Sequence, residues 1–120
     1  MVERAQIFVV DASVALKWFI DEEDRDKALE VRRDYVEGKI DLASPPLIIY
    51  EVFNALRYHP GVSSVDLARN MESLLDMQMD LRLPLPETNR LAAELALEEE
   101  IGGYDAHYIA LAKTMRAKVI

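Results

Sequence analysis

The 120-residue chain has the size of one domain and can bury about two-thirds of its unfolded surface, so it needs neither a disulfide nor a metal to fold. With 51% apolar and 30% charged residues it is neither disordered nor of low complexity. Fourteen basic against 22 acidic residues leave a net charge of −8, which argues against a protein held on nucleic acid by a broad basic surface, though not against an enzyme touching it through a few basic side chains and metal ions.

The absence of cysteine excludes a disulfide framework, thiol catalysis and cysteine-bound zinc. The longest apolar runs, such as residues 7–10 and 47–50, fall far short of the ~20 residues a membrane span needs, and no charged leader precedes a signal-like segment. The expected location is the cytoplasm.

In chain order, residues 7–10 form a β-branched apolar run that stops at Asp11, the pattern of a strand buried in a parallel sheet. Val14, Ala15, Trp18 and Phe19 then predict a helix over 12–20. The acidic stretch 21–24 is expected to lead into a second helix reaching Gly38 as its C-cap, with Ala28, Leu29, Val31, Tyr35 and Val36 inward. Residues 40–43 read as a second strand. Ser44, Pro45 and Pro46 carry N-cap and proline signals for a third helix with Leu47, Ile48, Val52, Ala55 and Leu56. Ser63 or Ser64 starts a fourth helix.

Residues 81–85 read as a third strand, alternating at Arg82, and Thr88 is expected to cap a helix with Leu91, Ala92, Leu95 and Leu97. Gly102 and Gly103 break the chain before a last helix over 104–116, and Val119 with Ile120 opens a fourth strand cut off at the chain end. Strands alternating with helices predict a single α/β domain with a mostly parallel sheet and helices on both faces.

Sites in open α/β sheets form outside the carboxyl ends of strands, where Asp11 stands. An Asp there is equally a common N-cap, and both readings stay open at this point. Ser13 could bond locally or face the same cleft. Glu51 is surrounded in sequence by apolar and aromatic residues, and a carboxylate on a largely buried helix is costly unless paired or metal-bound. The alternative is one polar stripe facing solvent. Asn54, three residues on, shares that stripe. Asp105 opens an otherwise apolar helix and alone would be an ordinary N-cap. Together, Asp11, Glu51 and Asp105 make an oxygen-only set suited to Mg²⁺ or Mn²⁺. Their mutual repulsion would oppose folding unless a cation neutralised it.

His59 and His107 have no metal-ligand partner at a suitable spacing. Trp18, Phe19 and Tyr108 read as core, and Met71, Met77 and Met79 as core or subunit contact. The fourth helix, with Leu67, Met71, Leu74, Leu75 and Met79 over 63–79, offers more apolar positions than one core-facing stripe needs, which predicts a homodimer.

Three segments carry a resemblance: VVDASVALKWF at 9–19, SPPLIIYEVFNAL at 44–56 and YDAHYIALA at 104–112. In this order, and over nearly the whole chain, they resemble the PIN domain, most closely its VapC toxin branch. The resemblance implies a three-layer α/β/α sandwich and a Mg²⁺- or Mn²⁺-dependent endoribonuclease acting on single-stranded or structured RNA. It also implies a homodimer and a VapB-type antitoxin that blocks the cleft. Asp11, Glu51 and Asp105 match the family's first three acidic positions, Ser13 the hydroxyl beside the first, and Asn54 a polar position near the Glu. The family's last strand runs into a Thr or Ser and a fourth Asp, a motif due to begin where residues 119–120 stand. Lys17 and Arg57 are the candidate RNA contacts.

Two other readings compete. A non-catalytic interaction module on the same fold is favoured by the acidic charge and the absent fourth carboxylate. A flavodoxin-like phosphoacceptor would place an acidic pair after its first strand, where this chain has the single Asp11.

Overall fold

The computed structural model describes residues 5–120. The first apolar run becomes β1 (Gln6–Val9), and the chain then turns at Asp11 into α1 (Ala12–Leu16). This helix is shorter than its apolar spacing predicts. From Lys17 to Phe19 the backbone bonds tighten to the i→i+3 pattern, at 3.0–3.1 Å, so Trp18 enters the core from a turn. The Trp18 indole Nε1 donates to the Ala28 carbonyl at 2.8 Å and ties that turn to α2 (Arg25–Val36). Ala28 is buried on α2, but Val36, expected inward, is 71% exposed. It is the last residue of the helix and lines an open groove with Arg32, Arg69 and Met77.

Gly38, at φ +76°, ends α2 in a Schellman motif: the Gly38 N–H donates to the Tyr35 carbonyl at 3.0 Å and the Lys39 N–H to the Asp34 carbonyl at 2.8 Å. The turn delivers the chain into β2 (Ile40–Ser44), which pairs in parallel with β1 from Gln6 opposite Ile40 to Val9 opposite Ala43. Ser44 is the last residue of β2 rather than a helix cap; Pro46 holds the cap position of α3 (Leu47–Arg57). Ile48, Val52 and Leu56 of α3 are buried, whereas Ala55 is exposed.

Ser63 caps α4 (Ser64–Asp76), its Oγ accepting from the Asp66 N–H at 3.1 Å. β3 is only Asp80–Leu81, not the five residues expected. One further bond, Arg82 N–H to the Ser44 carbonyl at 3.0 Å, ends the pairing, because β2 stops there and Pro84 has no N–H to continue. α5 (Pro86–Glu98) therefore starts earlier than expected, with Pro86 in its first turn, Leu85 in the cap position and Thr88 buried one turn inside. Leu97 of α5 faces outward. α6 (Gly103–Met115) and β4 (Lys118–Val119) complete the described chain.

The sheet order is β3-β2-β1-β4, all parallel. Right-handed crossovers stepping from β1 to β2 to β3 put α1–α4 on one face, and the reverse step from β3 to β4 puts α5 and α6 on the other. Packing agrees: α3 rests on α1 and α4, while α6 rests on α5, β1 and β4. The result is the expected three-layer α/β/α sandwich. The main core gathers Val9, Val10, Trp18, Leu42, Ile48 and Leu56, and a smaller cluster of Ala92, Leu95, Ala106 and Ala110 joins α5 to α6. The chain departs from β1 in opposite directions toward β2 and β4, which makes the carboxyl end of β1 a topological switch point. Among the described residues, no helix is long and apolar enough to cross a membrane.

Candidate active site

Asp11 occupies that switch point. Its main-chain N–H donates to the Ile120 carbonyl at 3.2 Å, while the neighbouring Val10 N–H donates to the Ala43 carbonyl at 3.0 Å, so the residue is held between the two flanking strands. Its side chain caps α1. Oδ1 accepts from the Val14 N–H at 3.2 Å and from the Ser13 hydroxyl at 2.6 Å. Ser13 thus bonds locally and at the same time fixes the Asp11 rotamer. The cap and the candidate ligand are one side chain.

Glu51 is half-buried on α3, and its Oε1 accepts from the Tyr108 hydroxyl at 2.9 Å. A hydrogen bond to a charged acceptor contributes about 1.5–3 kcal/mol, which offsets part of the cost of holding this carboxylate among apolar neighbours. Tyr108 comes from α6, on the opposite face of the sheet, so the bond passes over the carboxyl ends of the central strands. The phenol is only 3% exposed. Burial, then the Glu51 hydrogen bond and charge, then the charge of Asp11 push its pKa far above the ordinary tyrosine value. It therefore stays a donor to Glu51 throughout the working pH range.

Ser44 lies behind that hydroxyl, fully buried at the end of β2. It is close enough to favour the phenolate slightly, yet its Oγ makes no hydrogen bond of acceptable geometry. The geometry decides: the two oxygens are neighbours, not partners.

Asp105 sits in the first turn of α6, capped by Gly102, and is exposed. It is therefore not the N-cap itself. It folds back toward Gly102, where a Cβ would lie 3.9 Å from its Oδ2. Glu51, Gly102, Gly103, Tyr104 and Asp105 line one open groove, with Tyr104 64% exposed at its edge. Asn54 is exposed one turn past Glu51. Lys17 is half-buried and Arg57 is exposed, with its guanidinium 5.2 Å from the Tyr58 ring centre.

Of the expected residues, Glu51 and Asp105 line one groove, whereas the Asp11 side chain is engaged with Ser13 and Val14 at the start of α1. Among the described residues, no group of three or more His, Cys, Asp or Glu side chains is close enough to hold a metal ion. The donor chemistry suits a hard divalent cation, because it is oxygen-only and no ion pair among the described residues neutralises any of the three carboxylates. The side chains as they stand do not form a closed three-ligand set.

Sequence reasoning passed over Tyr108 and Ser44. A tyrosine in an apolar helix reads as core, and its ring is core; only its polar tip, three residues after Asp105, could have marked it. Ser44 before two prolines looks like a cap and is instead the end of a strand.

The PIN domain family model matches residues 8–120. The crystal structure of PAE2754 from Pyrobaculum aerophilum is similar, with a TM-score of 0.65 and 23% identity over 99% of this chain and 80% of that one. At that identity the likeness speaks for the fold alone. No curated protein matches the chain. A family match over nearly the whole sequence, on a parallel sheet whose switch point carries Asp11, makes this chain a member of the PIN domain family.

Proposed function

We propose that the chain is a Mg²⁺- or Mn²⁺-dependent endoribonuclease, the toxin of a VapBC-type pair acting in the cytoplasm. PIN domains are generally nucleases and usually use divalent metals. The observation that carries the proposal is Asp11 at the carboxyl end of the central strand β1, with Glu51 held by Tyr108 and sharing one groove with Asp105. Asp11, Glu51 and Asp105 would hold the cation, which when bound supplies a water of lowered pKa and polarises the scissile phosphate. Ser13 keeps the Asp11 carboxylate in place, and Asn54 would orient ligands from the exposed face of α3. Lys17 and Arg57 would contact phosphates, the modest basic contribution that a chain of net charge −8 allows. A small acidic- or Arg-tailed antitoxin would block the groove.

A homodimer belongs to the same reading, with narrower support than the sequence implied. Met71, Leu74 and Met79 are spent in the chain's own core and Leu67 is half-buried, which leaves Val65 and Leu75 as the large exposed apolar residues of α4. A monomer by light scattering at micromolar concentration removes this part.

The deciding experiment is cleavage of an RNA pool with added Mn²⁺. Cutting that stops with EDTA and in Asp11→Asn supports the reading, and cutting that survives both ends it. A non-catalytic PIN-fold interaction module is the second reading, favoured by the lack of a closed three-ligand set among the described residues; it expects no cleavage under any metal. A PIN nuclease of RNA processing rather than a toxin expects the same cleavage but no antitoxin reading frame beside the gene.

A further inference from the structure

We propose that Tyr108 is a positioning residue for Glu51: its hydroxyl ties down Oε1 so that the other carboxylate oxygen is turned to the groove shared with Asp105. The proposal takes the proposed metal-dependent site as its frame, but the clamp itself stands on geometry. A ring that only filled the core could be phenylalanine. Instead a hydroxyl is brought to 2.9 Å from a half-buried carboxylate, from a residue 57 positions away on the opposite layer. Tyr108 is held by its own surroundings: it is 3% exposed, on a helix packed against β1, β4 and α5. A rigid donor fixes a mobile acceptor, not the reverse, and Glu51 has three rotatable bonds to lose.

The surroundings of the hydroxyl support the same role. Ser44 Oγ is fully buried beside it without a hydrogen-bond partner. Ser44 does not compete for the phenol's single proton, which is given to Glu51. The order Ser44, Tyr108, Glu51 then runs from the end of β2 outward to the groove. Asp11 adds its negative charge from the side of β1.

The test uses the whole chain. In metal-free wild type, NMR should show a slowly exchanging Tyr108 hydroxyl proton with a cross-peak to the Glu51 γ-methylene, and side-chain couplings of Glu51 that fit one rotamer. Tyr108→Phe should leave the fold intact and average those couplings. Titration with Mn²⁺ alone should then bind about 10-fold or more weaker in the variant, the usual effect of removing a group that orients a ligand. Averaged Glu51 couplings in wild type, or no hydroxyl cross-peak, would overturn the proposal even if the variant fails to fold. A lower Tm in Tyr108→Phe with unchanged couplings and unchanged Mn²⁺ affinity would overturn it too, as that is what a purely structural tyrosine gives. If the couplings change as expected and wild type binds no Mn²⁺, the clamp stands and the metal-dependent reading fails.

Discussion

The Asp11 Oδ1 atom receives two bonds at once, from the Ser13 hydroxyl at 2.6 Å and from the Val14 N–H at 3.2 Å. One oxygen therefore serves the start of α1 and fixes the direction of the carboxylate. Asparagine caps as well as aspartate, whereas alanine loses about 1 kcal/mol at such a position. Asp11→Asn should melt within a degree or two of wild type, and Asp11→Ala clearly lower. Both should lose RNA cleavage. Equal destabilisation by the two substitutions in a urea titration would refute the capping account.

The turn after α1 is held by Trp18. Its Nε1 donates at 2.8 Å to the Ala28 carbonyl in a buried setting, so Trp18→Phe removes the donor, strands the carbonyl and leaves space around a smaller ring. A stranded buried acceptor alone costs about 1–3 kcal/mol. Urea unfolding followed by circular dichroism should show a loss of at least that size. A variant as stable as wild type would mean that water replaces the indole.

Much of this was legible in the sequence, and the gaps have physical causes. Residues 7–10 and 40–43 read as strands because a central parallel strand is apolar on both faces, and that pattern has few competitors. Asp11 could be placed for the same reason: it is where the run stops. The third strand was overread, since alternation at Leu81, Arg82 and Leu83 is a local signal, whereas strand length depends on the neighbour, and β2 ends at Ser44. Trp18 and Phe19 looked helical because a tight turn and a helix place apolar groups at nearly the same spacing. The roles of Tyr108 and Ser44 were not legible at all. Both depend on elements far apart in sequence, α6, β2 and α3, meeting at the carboxyl ends of the central strands, which no local pattern encodes.

Gly38 tests the end of α2. Its φ of +76° belongs to the left-handed region, and a Cβ there would meet nothing within 4 Å. Substitution therefore isolates the backbone cost from any clash. Gly38→Ala should destabilise by about 1 kcal/mol, and Gly38→Asn by less, because asparagine tolerates that region better. The order of the three melting temperatures is the measurement; alanine at or above asparagine would contradict it.

Tyr35 gives the chain a pH dependence far from the groove. Its hydroxyl donates toward the Met77 and Gln78 carbonyls, at 2.8 and 3.0 Å, and so pins the end of α4 to α2. Burial first, then the charges of Asp41 and Asp80, raise its pKa above the ordinary 10.0. The raised folded value means that the neutral phenol is the form the fold favours. Its contribution is fully present below about pH 10, where folded and unfolded chains both hold the proton, and is lost as pH rises toward the folded pKa, because the unfolded state releases the proton first. Phenylalanine has no proton to release. Tyr35→Phe should therefore be less stable than wild type at pH 7, through the two bare carbonyls, and the difference should shrink as the pH rises past the ordinary tyrosine value of 10.0. Urea titrations of both proteins at pH 7, 9, 10 and 11 decide it. A gap that stays constant across that range would show that Tyr35 ionises as freely in the fold as in the unfolded chain.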